Sequence, residues 1–248
     1  AIEEAAEKLQ QATNKWLIDP RKSKRVAYWD GVTVIALIFT ALITPYEVAL
    51  LSAQLDALFM VNRIVDAIFA VDIGVQFLLM KEKQSGMMSE GTIWLTDQGS
   101  IAREYLRGWF TLDFISVSVC AVDFYSVFAE GSEDSGGSDS LMLLKLLRVL
   151  RLIKLVRLVR SSRITKRWET SVAIDYAVLS IVKCAVMTAL ASHWMACVWL
   201  LQAFLNGTMQ SWLGDDGYCV EDASRPDGVA CEDPSVLYVV SLYWSVMT

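Results

Sequence analysis

Residues 145–166 read KLLRVLRLIKLVRLVRSSRITK. Lys145, Arg148, Arg151, Lys154, Arg157, Arg160, Arg163 and Lys166 recur at every third position, and from Lys145 to Val159 every residue between them is Leu, Val or Ile. On an α-helix a step of three residues turns about 300°, so the cations wind around the axis instead of holding one face. A helix lying at a membrane surface would mix steps of three and four to gather its charges on one side. A basic nucleic-acid-binding or disordered tract would not be interleaved with Leu and Val. If part of the segment is a 3₁₀-helix, with three residues per turn, the row straightens into a single stripe.

The segment is long enough to cross a bilayer, where buried cations are costly and become useful when the membrane field acts on them. Each elementary charge moved through 100 mV exchanges about 2.3 kcal/mol, so three or four charges in each of four subunits supply roughly 30 kcal/mol. The stretch therefore reads as a voltage sensor with enough work available to drive a pore.

The composition fits a membrane protein: 54% of the residues are hydrophobic and there are nine Trp. The net charge of −6 conceals segregation, because basic and acidic residues collect in different segments. Ala1 to Gln11 is charged, reads as a short polar helix and has no signal-peptide pattern.

Working outward from the sensor, Asp19-Pro20 marks a break beside Arg21, Lys22, Lys24 and Arg25, so residues 1–27 read as a cytoplasmic segment by the positive-inside rule. A first span is predicted over 28–44, with Pro45 closing its outer end, and an outside loop follows with Glu47 and Asp56. The second span, 58–80, carries Asp66, Phe69 and Asp72 on an arc of about 120°. Lys81 and Lys83 mark its inner boundary, about 13 Å below Asp72 at the helical rise. The third span, 109–128, enters after Arg103 and Arg107 and places Asp113 about 9 Å above Arg107. Intramembrane acids need cationic partners. Asp72 and Asp113 are thus the expected counter-charges of the basic row. Glu130 to Ser140 is a Gly/Ser/acid run read as a flexible external loop before the fourth span, 141–164.

A fifth span is predicted over 171–205, with Lys183 snorkelling, His193 packed and hydrogen-bonded, and Cys120, Cys184 and Cys197 as buried thiols. Residues 206–235 are acidic and read as external. There Cys219 and Cys231 are positioned to close a small loop by a disulfide, and Asn206-Gly207-Thr208 is a glycosylation sequon. With no C-x-x-C pattern and no second His at ligand spacing, no metal site is read. Residues 236–248 are apolar, aromatic and too short to span, and they read as a re-entrant half-helix whose negative C-terminal end would stabilise a dehydrating cation. No nucleophile, base or cofactor loop argues for an enzyme, and no cofactor or nucleic-acid partner is expected.

Seven motifs converge: Tyr28-Trp29-Asp30; Thr44-Pro45-Tyr46-Glu47-Val48; Ile64-Val65-Asp66 to Phe69-Ala70-Val71-Asp72-Ile73; Gly108-Trp109-Phe110 with Asp113; the basic repeat; His193-Trp194-Met195-Ala196-Cys197; and Ser241-Leu242-Tyr243-Trp244-Ser245. Together they resemble the voltage-gated cation channels of the ether-à-go-go, plant inward-rectifier and cyclic-nucleotide-gated superfamily, and most closely the ether-à-go-go branch. The resemblance covers residue 16 to the end. It implies an all-α polytopic membrane protein: a four-helix voltage-sensor bundle over 28–165, then a partial pore domain over 166–248, assembled as a homotetramer in lipid at the plasma membrane.

By the same resemblance, Lys145 to Arg163 are the sensing cations, and Asp66, Phe69, Asp72 and Asp113 form the site through which they pass. Ser241, Tyr243, Trp244 and Thr248 belong to the pore helix, with potassium as the permeant ion. Asn62 departs from the pattern, standing where the ether-à-go-go branch often has a further acid, and the third span lacks the proline usual after its Asp. Thr248 falls a few residues short of where such channels place the selectivity filter. The full protein is therefore expected to continue with a filter, a sixth span and a cytoplasmic regulatory domain. A non-selective cation channel and a sensor coupled to another effector are the competing readings.

Overall fold

The computed structural model describes residues 17–19, 23–51, 57–84, 92–95, 97–120, 149–162, 164–165, 176–225 and 228–248. The described chain is mostly helical and divides into two compact units, residues 1–37 with 57–118 and residues 38–56 with 119–248. The predicted third span beyond residue 120 and the start of the fourth, to residue 148, lie outside the described residues, as do Lys145, Arg148 and Arg163.

Helix α1, Lys24–Leu50, begins before the predicted first span, so Lys24 and Arg25 sit in its opening turn. It also runs straight past Pro45, where the sequence alone puts its end. A proline inside a helix removes one N–H and crowds the carbonyl four residues back, here that of Ala41. That carbonyl has another donor, the indole of Trp194, with Nε1 at 3.0 Å. The turn around Pro45 therefore keeps an acceptor satisfied and the helix closes only at Leu51, whose N–H bonds Glu47 O at 3.0 Å.

In the first unit, α2, Ala57–Gln76, stops four residues short of the predicted inner boundary. Phe77 and Leu78 form a turn, and Ile18 then pairs with the chain: its N–H reaches Leu78 O at 2.9 Å and its carbonyl takes Met80 N at 3.2 Å. Strands β1, Lys81–Gln84, and β2, Thr92–Leu95, form an antiparallel hairpin with Lys81 opposite Leu95. The all-α expectation missed this hairpin because KEKQ carries no alternation of apolar and polar residues.

Helix α3, Gln98–Arg107, is capped by Asp97, whose Oδ2 accepts Ser100 N at 2.8 Å, satisfying one of the orphan donors of the first turn. Gly108 ends it and α4, Phe110–Ser118, follows. Ile101 and Tyr105 of α3 are buried, and the Tyr105 ring meets Phe77 edge-on at 4.9 Å and Phe110 at 5.9 Å, a packing that favours their quadrupoles.

The second unit holds a 3₁₀ segment, Arg151–Arg160, and the long helix α5, Tyr176–Asn206. Helices α1 and α5 are each long and apolar enough to cross a membrane. Beyond α5 a 3₁₀ turn, Thr208–Gln210, leads into short α6, Trp212–Asp215, where Gly214 is obligatory: an added Cβ would lie 2.5 Å from Met209 O. A second hairpin, β3 Cys219–Glu221 with β4 Val229–Cys231, also lies in a region read as loop. Pro234 opens α7, Pro234–Met247, where its fixed φ suits the first turn and its missing N–H is not needed. A core of Val48, Cys197, Leu200, Leu213, Cys219 and Leu237 joins the C-terminal part of α1, α5, the hairpin and α7. Of the thiols expected to be buried, Cys197 is, while Cys120 is partly covered and Cys184 is exposed, because it lies on a face of α5 that this chain leaves uncovered.

Candidate functional site

The basic row folds as three residues per turn. Arg151, Lys154, Arg157 and Arg160 therefore stand in one stripe, successive members about 6 Å apart at the 3₁₀ rise. All four are buried, Arg157 and Arg160 at 1% and 2% exposure, while the aliphatic residues between them are partly covered or, for Val159, exposed. This inverts the order of a water-soluble helix, in which cations face solvent and Leu and Val face the core. Arg157 Nη2 donates to Cys120 Sγ at 3.0 Å. At the C-terminal end Ser161 and Ser162 turn their hydroxyls onto Leu158 O and Val159 O at 2.7 and 2.9 Å.

The acids named from the sequence lie in the other unit. Asp66, Phe69 and Asp72 are all buried on α2, Phe69 completely. Asp72 is held between two neutral donors, Trp29 Nε1 at 3.1 Å from Oδ1 and Gln76 Nε2 at 3.5 Å from Oδ2. Asp113, at the start of α4, accepts the Tyr105 hydroxyl at 2.6 Å, and its own carbonyl accepts Ser116 Oγ at 2.7 Å. These donors carry no formal charge. They aim the carboxylates without themselves supplying a counter-charge. Asp66 is different: Arg63, one turn earlier, meets its Oδ2 at 2.8 Å and lays its guanidinium over the Phe59 ring at 5.0 Å.

Sequence reasoning names the acids but not what holds them. Gln76 was findable, since it lies four residues after Asp72 on one helix face. Arg63 had the same kind of signal at three residues. Trp29 and Tyr105 act across element breaks, where periodicity carries no information.

In the second unit Ser241 is fully buried on α7, whereas Tyr243 and Trp244 are 60% and 51% exposed and Thr248 bonds back to Trp244 O through its hydroxyl at 2.6 Å. His193 joins α5 to α7 through Tyr238, 2.8 Å from Nδ1. Cys219 and Cys231 face each other across the hairpin and are disulfide-bonded, with Cα atoms 4.0 Å apart. Asn206 is exposed at the end of α5.

Residues 26–247 match the family model described as ion transport protein. The chain belongs to that family. Its relatives include the potassium channel KAT3 of Oryza sativa subsp. japonica, 30% identical over 239 residues that make up 94% of this chain and 42% of that protein. The potassium voltage-gated channel protein eag of Drosophila melanogaster is 28% identical over 233 residues, 89% of this chain and 18% of that protein. The voltage-gated inwardly rectifying potassium channel KCNH2 of Sus scrofa is 27% identical over 241 residues, 88% of this chain and 18% of that protein. The chain thus spans less than half the length of each of these relatives. The plant and ether-à-go-go branches expected from the motifs are both represented, and the family is one of membrane ion channels, not enzymes.

Proposed function

We propose that this chain is the voltage-sensing and pore-forming part of a voltage-gated, potassium-selective cation channel subunit. The observation that carries the reading is the 3₁₀ stripe: four cations on one buried face, separated by aliphatic residues that are partly covered or, for Val159, exposed. Such a stripe translates along its own axis without turning its charges toward lipid, and each charge that crosses the field contributes about 2.3 kcal/mol per 100 mV.

In this reading Arg151, Lys154, Arg157 and Arg160, together with Lys145, Arg148 and Arg163, move past Phe69, with Asp66, Asp72 and Asp113 as counter-charges. The tetramer sits in the plasma membrane with the N-terminus cytoplasmic. The acidic turret and Asn206 are external, α7 is the pore helix, and a cytoplasmic regulatory domain belongs to the longer protein. The names of the relatives support potassium as the permeant ion.

The test is electrical. The full-length protein in a cell without background channels should pass a voltage-dependent current whose reversal follows the potassium gradient when internal potassium faces external sodium. Reversal near zero in that gradient identifies a non-selective cation pore, and absence of any voltage-dependent current overturns the channel reading.

A further inference from the structure

We infer that Pro45 is a positioning residue: by withholding one helical N–H it exposes a docking point on α1 that ties the first helix, through Trp194 and His193, to the pore helix α7. The inference rests on the channel reading above and adds a path by which the first helix fixes the pore.

In an unbroken α-helix the Ala41 carbonyl is occupied by the N–H of residue 45. Proline has none, so an acceptor is left in an apolar setting, where an unmet carbonyl is costly. Trp194 Nε1 fills it at 3.0 Å. An indole N–H is a donor only, so the bond has one direction and one suitable kind of partner. The next carbonyl round the helix, Leu42 O, lies 2.9 Å from His193 Nε2. A carbonyl can only accept, so Nε2 carries the ring proton. The neutral ring then presents Nδ1 as an acceptor, and the Tyr238 hydroxyl donates to it at 2.8 Å.

Two adjacent residues of α5 thus grip two adjacent carbonyls of α1, and one of them passes the connection to α7. A second contact runs beside the first: Tyr46, next to Pro45, meets Tyr238 edge-on with ring centroids 5.4 Å apart. Tyr238 is therefore touched both by α1 directly and by the histidine that α1 holds. Further along α7, Ser245 Oγ donates to Ser192 O at 2.7 Å, so α7 is fastened to α5 at a second point beside the histidine.

The consequence is mechanical. The outer end of α1 is not free to slide along α5 without breaking bonds whose replacement by water is closed off, as His193 is buried. The first helix serves as the fixed post of the pore, and the three hydrogen bonds behave as one unit.

A mutant cycle in the full-length channel tests this. Pro45→Ala restores the N–H, which competes with the indole for Ala41 O; Trp194→Phe removes the donor alone; Tyr238→Phe removes the last bond of the chain. Each single variant should change the rate at which current declines during a sustained activating step, leaving the steepness of voltage dependence untouched because none of these residues carries sensor charge. Pro45→Ala combined with Tyr238→Phe should do no more than the larger single effect, a shortfall of about threefold or more from the product of the two, as coupled neighbours show. Should Pro45→Ala fail to reach the surface, Trp194→Phe takes its place in the cycle and the same shortfall is expected. Effects that multiply as independent sites would overturn the strap while the channel reading stands. A wild-type protein that passes no voltage-dependent current would instead sink the channel reading.

Discussion

The hydroxyl of Tyr105 lies 2.6 Å from Asp113 Oδ2, joining the last turn of α3 to the first turn of α4 across the break at Gly108. Both residues are buried, and the tyrosine ring is wedged against Phe77 and Phe110. The acid that the channel reading assigns to the sensor path is thus aimed by a side chain from outside its own helix. Tyr105→Phe keeps the ring and deletes the donor. Loss of this buried hydrogen bond should cost about 1–3 kcal/mol. Thermal unfolding of the purified full-length protein should fall accordingly, and an unchanged midpoint would show that the bond does not hold the acid.

Trp29 plays the corresponding part for Asp72. Trp29→Phe should therefore shift the voltage midpoint in the same direction as Asp72→Asn and by a smaller amount, since Gln76 still donates to the acid. Opposite shifts would separate the indole from the carboxylate.

Asp97 supplies a pH dependence. The Ser100 backbone N–H and hydroxyl hold its carboxyl below the ordinary value. A depressed acid contributes stability that is complete above its unfolded value and is lost as pH falls through the folded one. The opening turn of α3 should therefore loosen only under strong acid. Asp97→Asn, which caps comparably but does not titrate in this range, should abolish that dependence. Amide exchange at Ser100 and Ile101, corrected for intrinsic rates, reports it; equal acid sensitivity in both proteins would remove Asp97 as its source.

The β3–β4 hairpin makes a chemical prediction. Cys219 and Cys231 are bonded, and Cys120, Cys184 and Cys197 form no disulfide. Denatured without reductant, the chain should offer three thiols to alkylation, and with reductant five. Closing a loop of this size is worth about 2–4 kcal/mol, so Cys231→Ser should lower the stability of the β3–β4 hairpin by that order. Full alkylation of all the cysteines without reductant would refute the bond.

Much of this architecture was legible in the primary structure because its signals are periodic. The basic step of three straightens into a single stripe wherever the segment is a 3₁₀-helix, and residues 151–160 form one. The acids of α2 share an arc through simple helical spacing. What escaped had no period. Pro45 reads locally as a stop, and only the distant Trp194 indole explains why the helix continues. The β1–β2 hairpin lacks alternation, and the end of α2 is set by pairing with Ile18, far earlier in the chain. The donors to Asp72 and Asp113 come from elements whose packing neither hydropathy nor spacing encodes.

The central claim is that the cations at 151, 154 and 157 move through the membrane field. Gating currents from the full-length protein carrying Arg151→Gln, Lys154→Gln and Arg157→Gln together test it most directly. The account predicts a shallower charge–voltage relation, with each lost charge that crosses the whole field removing about 2.3 kcal/mol of coupling per 100 mV. A triple variant that reaches the membrane and moves charge as steeply as the wild type would contradict it.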